Sequence, residues 1–191
     1  RIWQYHFGRG IVATPNDFGK VGARPSHPEL LDYLANQFVA GGHSIKQIHR
    51  LILNSNAYQQ SSAPPADPAL KALAMAKDPE NKFLWRFNRQ RLEAEQLRDA
   101  ILSVAGTLNP KQGGPSVMVP IDPGLVNLLY KPSQWQPAKD PAEYSRRSVY
   151  LIAKRNLRLP LMDVFDAPDA QVSCPRRESS THAPQALELL N

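Results

Sequence analysis

The sequence predicts a mainly α-helical protein with minor β content, on three observations. Apolar residues recur at three- and four-residue spacing in three separate stretches, the period of a helix with one buried face. Those stretches are bounded by glycines, prolines or hydroxyl-bearing residues suited to helix ends. Eighteen prolines against ten glycines in 191 residues, about twice the ordinary proline share of roughly 5%, stiffen the connectors. A chain of this length can bury a real core, and the reading is a single domain over 1–191 with a mobile insertion expected at 61–79.

The elements follow in order. RIWQYHF, residues 1–7, reads as the last turns of a helix stopped at Gly8 or Gly10. A stiff connector, GRGIVATPNDFGKVGARP, then leads to Ser26, whose hydroxyl with Glu29 three residues on makes a capping box, with Pro28 harmless in the first turn. The helix expected from about His27 to Ala40 carries Leu30, Leu31, Leu34, Phe38 and Val39 on one face and ends at Gly41-Gly42. Ser44 and Gln47 repeat the capping pattern, and Ile45, Ile48, Leu51 and Ile52 form a second stripe, so the two helices are expected to pair as a hairpin. SSAPPADPALKALAMAKDP breaks the pattern and reads as a surface loop or a short exposed helix over about 69–77.

A long helix is expected from about Glu93 to Thr107, on Leu97, Ile101, Val104 and Leu108. Arg89 with Glu93 and Arg91 with Glu95 form four-residue charge pairs worth about 0.2–0.5 kcal/mol each. Periodicity vanishes over 109–145, where short strands are expected near 116–121. SVYLIA, residues 148–153, reads as a short strand, and 159–165 as a brief helical passage ended before Pro168. The chain opens on Arg1 without a methionine and closes inside a helix starting at Ala183, which is expected of a fragment of a longer multidomain protein.

The net charge of +6 is concentrated late in the chain, where residues 146–177 hold seven basic side chains against three acidic ones. This permits anionic partners without naming one. One cysteine, Cys174, leaves no internal disulfide and no thiolate zinc cluster, and there is no Cys-x-x-Cys-His for covalent haem. No run approaches the ~18 apolar residues of a membrane span.

Gly8-x-Gly10-x-x-Ala13 imitates a dinucleotide fingerprint, but that motif needs a strand before it and a helix after it, whereas here a helix precedes and Pro15 blocks helix growth. Trp85, Arg86, Phe87, Arg89 and Arg91 interleave aromatics with arginines, yet Glu93, Glu95 and Asp99 follow at once and would repel phosphate. No nucleic-acid partner is expected. Cys174-Pro175-Arg176-Arg177 places a thiol beside cations that favour its thiolate, without the base and oxyanion-stabilising turn a nucleophile needs.

Three sets of residues remain. His6, Asp17 and His27 flank or occupy the connector and are the catalytic candidates, since pocket histidines are the usual proton shuttles. Arg146, Arg147, Arg176 and Arg177 are the anion-binding candidates, through bidentate grips on carboxylate or sulfate; the competing reading has them docking neighbouring domains or neutralising local carboxylates. No metal is expected, and Asp163, Asp166 and Asp169 are the residues that would hold one. Their competing reading is that Asp166 and Asp169 cap turns around Pro168 while Asp163 pairs with an arginine.

HFGRGIVATPNDFGKVGARPSHPELLDYLA, IHRLILNSNAYQQSS, DPENKFLWRFNRQRLEAEQLRDAIL, RRSVYL and FDAPDAQVSCPRRESSTHAPQALELLN stand in this order over nearly the whole chain. Together they resemble the planctomycete-specific domain of unknown function 1553. His182 and Glu188 depart from the small or apolar residues expected there. The resemblance implies an exported, extracytoplasmic, multidomain protein linked to a cytochrome-c-like domain. Any haem c would attach in another domain of the parent, with no cofactor in this stretch. It carries over no catalytic residue.

On this reading the chain is an accessory or substrate-facing domain, partnered by other domains of the same polypeptide and, in polysaccharide breakdown, by anionic polysaccharide. The alternatives are an enzyme with a His/Asp site around 6–27, and a structural or docking module of the cell surface.

Overall fold

The computed structural model describes residues 1–190 and is mainly helical, with nine α-helices among the described residues and almost no β structure. It divides into two compact units, Arg1–Gln90 and Arg91–Asn191.

In the first unit, α1 (Ile2–Phe7) ends where Gly8 takes φ 77°, the left-handed conformation that lets its N–H reach back to the Gln4 carbonyl. α2 (Pro28–Ala40) begins one residue later than the sequence suggests. His27 is its N-cap and supplies no side-chain capping bond, while the Ser26 hydroxyl turns away to the Ile11 carbonyl at 3.2 Å and the His27 ring. The expected capping box is therefore replaced by a tie across the connector. α3 (Ile45–Leu53) starts as read, with Ser44 Oγ accepting from the Gln47 N–H. α4 (Asn56–Gln59) is capped by Ser55. α5 (Pro68–Lys77) shows that the alanine-rich stretch is a short exposed helix: Asp67 caps it and it buries no residue.

Phe7, Ile48 and Ile52 form the buried centre of this unit, with Trp3, Leu34, Phe38, Tyr58 and Phe87 packed around them. Trp3 stacks on Phe7 at 4.1 Å, and Tyr58 meets Phe87 edge-on at 5.3 Å. Phe87 thus joins the core. A polar staple holds residues 78–88: both Asp78 carboxylate oxygens accept from the N–H groups of Lys82 and Phe83, and Asp78 O accepts from Trp85 Nε1. Buried Asn81 bonds Arg86 O and Asn88.

In the second unit, α6 (Ala94–Val104) stops short of Thr107 because Gly106 adopts φ 71° and Thr107 N–H folds back to Leu102 O. The Glu93 N–H donates to the Gln96 side chain at its start. Residues 91–93 lie outside the helix, so the expected four-residue charge pairs do not form. Arg91 reaches Asp166 and Glu95 pairs with Arg177 instead, while Arg89 donates to Ser62 within the first unit.

α7 (Pro123–Asn127), α8 (Pro160–Val164) and α9 (Ala183–Leu190) complete the α-helices, with 3-10 turns at Pro132–Gln134, Pro141–Ser145 and Ser148–Tyr150. The C-terminal helix is as expected over 183–190, and its expected last residue, Asn191, lies outside the described residues. Ala94, Met162 and Phe165 form this unit's buried cluster, flanked by Leu97, Leu151 and Leu161.

The short strand expected near 148–153 is corrected. The Ser148 N–H is taken by the Asp99 carboxylate at 2.7 Å. The following N–H groups of Tyr150 and Leu151 close onto Arg147 O and Ser148 O, winding the segment into a 3-10 turn. Among the described residues β pairing survives only as isolated bridges, Val117 with Leu151, Asn109 with Arg146 and Lys154 with Leu157. The β-branched and aromatic side chains of this stretch favour a strand, but a carboxylate cap overrides them.

Candidate functional site

The connector is closed on itself by hydrogen bonds. The Ser26 N–H donates to Ile11 O at 2.8 Å, and the Thr14 hydroxyl donates to Asp17 O while accepting from the Ala23 N–H. Ile11, within the connector, is buried. Asp17 spends its carboxylate on the Gly19 N–H within this turn. That is the Asx-turn use of an aspartate.

Where the connector meets α2 a small cleft opens, lined by Trp3, Phe7, Arg9, Ser26, His27, Asn81, Lys82 and Asn88. Its volume of about 20 Å³ has room for one water molecule and no more. The His27 ring lies edge-on to Phe83 at 5.3 Å and bonds Ser26 Oγ at 2.8 Å. The two cations at the rim, Arg9 and Lys82, share the one carboxylate of Glu80 at 2.8 and 3.4 Å.

His6 does not line this cleft. It sits on α1 with Nε2 2.7 Å from Nδ1 of His49 on α3, and its ring meets Tyr58 of α4 edge-on at 5.5 Å. Partial burial, and then the nearby His49 ring, lower the His6 pKa below its usual 6.5. The structure thus places the three catalytic candidates in three different settings: His6 in a histidine pair, Asp17 in its own turn, His27 in the cleft. His49 was not singled out from the sequence. Its partner is 43 residues away, and no local pattern joins them.

In the second unit the anion-binding candidates are distributed as follows. Arg146 is 0% exposed. Its guanidinium lies 3.9 Å from the Tyr150 ring centre and donates to Glu143 at 3.0 Å and to the carbonyls of Lys111 and Gly113. Arg177 grips both Glu95 oxygens, at 2.6 and 3.1 Å, in the bidentate manner expected of a planar guanidinium. Arg147 is exposed beside Asp99 at 3.5 Å. Arg176 is exposed, its carbonyl accepting from Cys174 Sγ. Three of the four therefore pair with internal carboxylates, Arg147 from an exposed position. Arg98, unremarked in the sequence, does similar work, donating to Tyr144 O, Arg146 O and Ser148 Oγ.

The three aspartates are likewise engaged. Asp163 and Asp169 flank Arg158 at 2.7 and 3.2 Å, and Asp169 also accepts from the Gln171 N–H. Asp166, held at φ 58°, accepts from Arg91, from the Ser180 N–H at 2.9 Å and from the Ser180 hydroxyl at 2.7 Å. The Arg91 hydrogen bond, followed by those of Ser180, lowers the Asp166 pKa from 3.8 to about 2. Among the described residues no three histidine, cysteine or acidic side chains converge to hold a metal ion.

No helix among the described residues is long and apolar enough to cross a membrane. No curated protein and no solved structure matches the chain. A family model described as protein of unknown function (DUF1553) matches residues 1–191. The chain belongs to that family.

Proposed function

We propose that this chain is an accessory helical domain of a longer exported polypeptide, and that its exposed apolar faces are covered by other domains of that polypeptide. The observation that carries the reading is its surface. A compact protein of 21.3 kDa exposes about 9,100 Å², and two separate compact units of half that mass expose about 11,000 Å² together. This chain exposes 13,423 Å². The surplus over the more generous reference, about 2,400 Å², is roughly three times one partner's share of a standard interface.

The surplus has apolar places to sit. α2 carries two apolar turns yet buries no residue, leaving Tyr33 48% and Val39 61% exposed. Phe18 and Val21 project from the connector, and Leu128 and Tyr130 stand almost fully in solvent. Large apolar exposure of this kind marks interaction surfaces. The engagement of Arg146, Arg177 and the three aspartates by internal partners favours support over chemistry in the second unit.

The exported, cytochrome-linked setting rests on the family resemblance, with haem c carried by another domain. A role facing polysaccharide rests on the same resemblance, and the net charge of +6 suits an anionic one. The test is sedimentation of the chain mixed with the separately produced remainder of its parent polypeptide. Association is expected, weakened by Tyr33→Asp and Val39→Asp together. Absence of association at tens of micromolar, with both pieces folded, overturns the reading.

A further inference from the structure

We propose that His6 and His49 form a chelating site for a divalent late first-row transition metal. Their two ring nitrogens, His6 Nε2 and His49 Nδ1, point at each other across 2.7 Å. As a neutral pair they share one proton, one ring donating and the other accepting. A dication takes the place of this proton when the donor ring carries its N–H on its other nitrogen instead, which frees a second lone pair facing the first. Imidazole is the preferred ligand of copper, nickel and zinc. Metal–nitrogen bonds of about 2.0–2.1 Å in tetrahedral geometry put the two nitrogens roughly 3.3 Å apart, so the rings must part by about 0.6 Å and tilt by about 35° each off the line that joins them.

The surroundings suit the exchange. Both rings are half-buried, leaving the metal's remaining positions to water. Among the described residues neither ring is paired with a carboxylate, so no competing acid holds a proton on either one. Tyr58 packs edge-on against His6, and the Gln90 amide donates to the His6 carbonyl at 3.0 Å. These contacts fix the ring and backbone on one side of the site. The ligands come from α1 and α3, so a bound ion would clamp one helix to the other.

The experiment is calorimetric titration of the full chain, without a histidine tag, with Cu²⁺ alone at pH 7.5, paired with electron paramagnetic resonance of the complex. One equivalent is expected to bind with hyperfine coupling to two imidazole nitrogens and to raise the melting temperature. His6→Gln and His49→Gln should each weaken binding by roughly tenfold or more, as expected for loss of one of two chelating ligands, whereas His43→Gln and His182→Gln should not. Circular dichroism without metal establishes that each variant is folded. Binding equal in all four variants, coupling to a single nitrogen, or no binding at 100-fold excess of Cu²⁺ overturns the proposal.

Discussion

Replacing Asp166 with asparagine isolates one charge in the second unit. At φ 58° asparagine is tolerated much as aspartate is, so the exchange perturbs electrostatics and not the turn. The carboxylate accepts from Arg91 and twice from Ser180, and its pKa of about 2 lies below the ordinary 3.8. A gap of about 1.8 pH units corresponds to about 2.4 kcal/mol at neutral pH. Solvent reaches 21% of the side chain, and screening reduces the expected contribution to about 1–2 kcal/mol.

The sign follows from proton binding. Folded Asp166 holds its proton less tightly than the unfolded chain does, so its stabilisation is fully present above about pH 5 and disappears as the pH falls through about 2. Urea unfolding, followed by amide signals of α6 and α8 so that it reports this unit, should place Asp166→Asn about 1–2 kcal/mol below wild type at pH 7. The gap should shrink steadily between pH 4 and pH 2. Adding Arg91→Met should cost less in the variant than in wild type, because the two share one interaction. Equal stability at pH 7, or a gap undiminished at pH 2, would refute the reasoning.

Three further outcomes are expected. Arg146→Met should cost about 1–3 kcal/mol in urea unfolding, because it takes a buried charged donor from two carbonyls and from Glu143, which keeps Lys111. Gly8→Ala should cost about 1–2 kcal/mol in urea unfolding followed at amides of α2 and α3 in its own unit, since an L residue is strained at φ 77°. With the folded His6 pKa held below 6.5, the unfolded chain takes up this proton first. Wild-type stability should therefore fall as pH drops below about 6.5, and His6→Gln should flatten that slope.

The sequence conveys local structure where one segment decides it. Ser44 caps α3 as its spacing implies, and Asp67-Pro68 starts α5 in the stretch that read equally as loop or helix. Readings failed where a group distant in sequence intervened. Ser26 was diverted by the Ile11 carbonyl, and the 148–153 segment by Asp99, 49 residues away. Arg91 and Glu95 have the right spacing for each other, but helix begins only after Arg91, so each found another partner. The candidate sites behave alike: Arg146 looks like a surface cation by type, and only the fold shows it buried over Tyr150.

Coverage of this chain's apolar faces by other domains of the same polypeptide can be read by hydroxyl-radical labelling of the chain alone and within its parent polypeptide. Tyr33, Phe18 and Tyr130, all exposed in the chain alone, should be labelled strongly there, and at least one of their faces should lose more than about half of its labelling in the parent. Labelling of all three that is unchanged between the two would contradict the account.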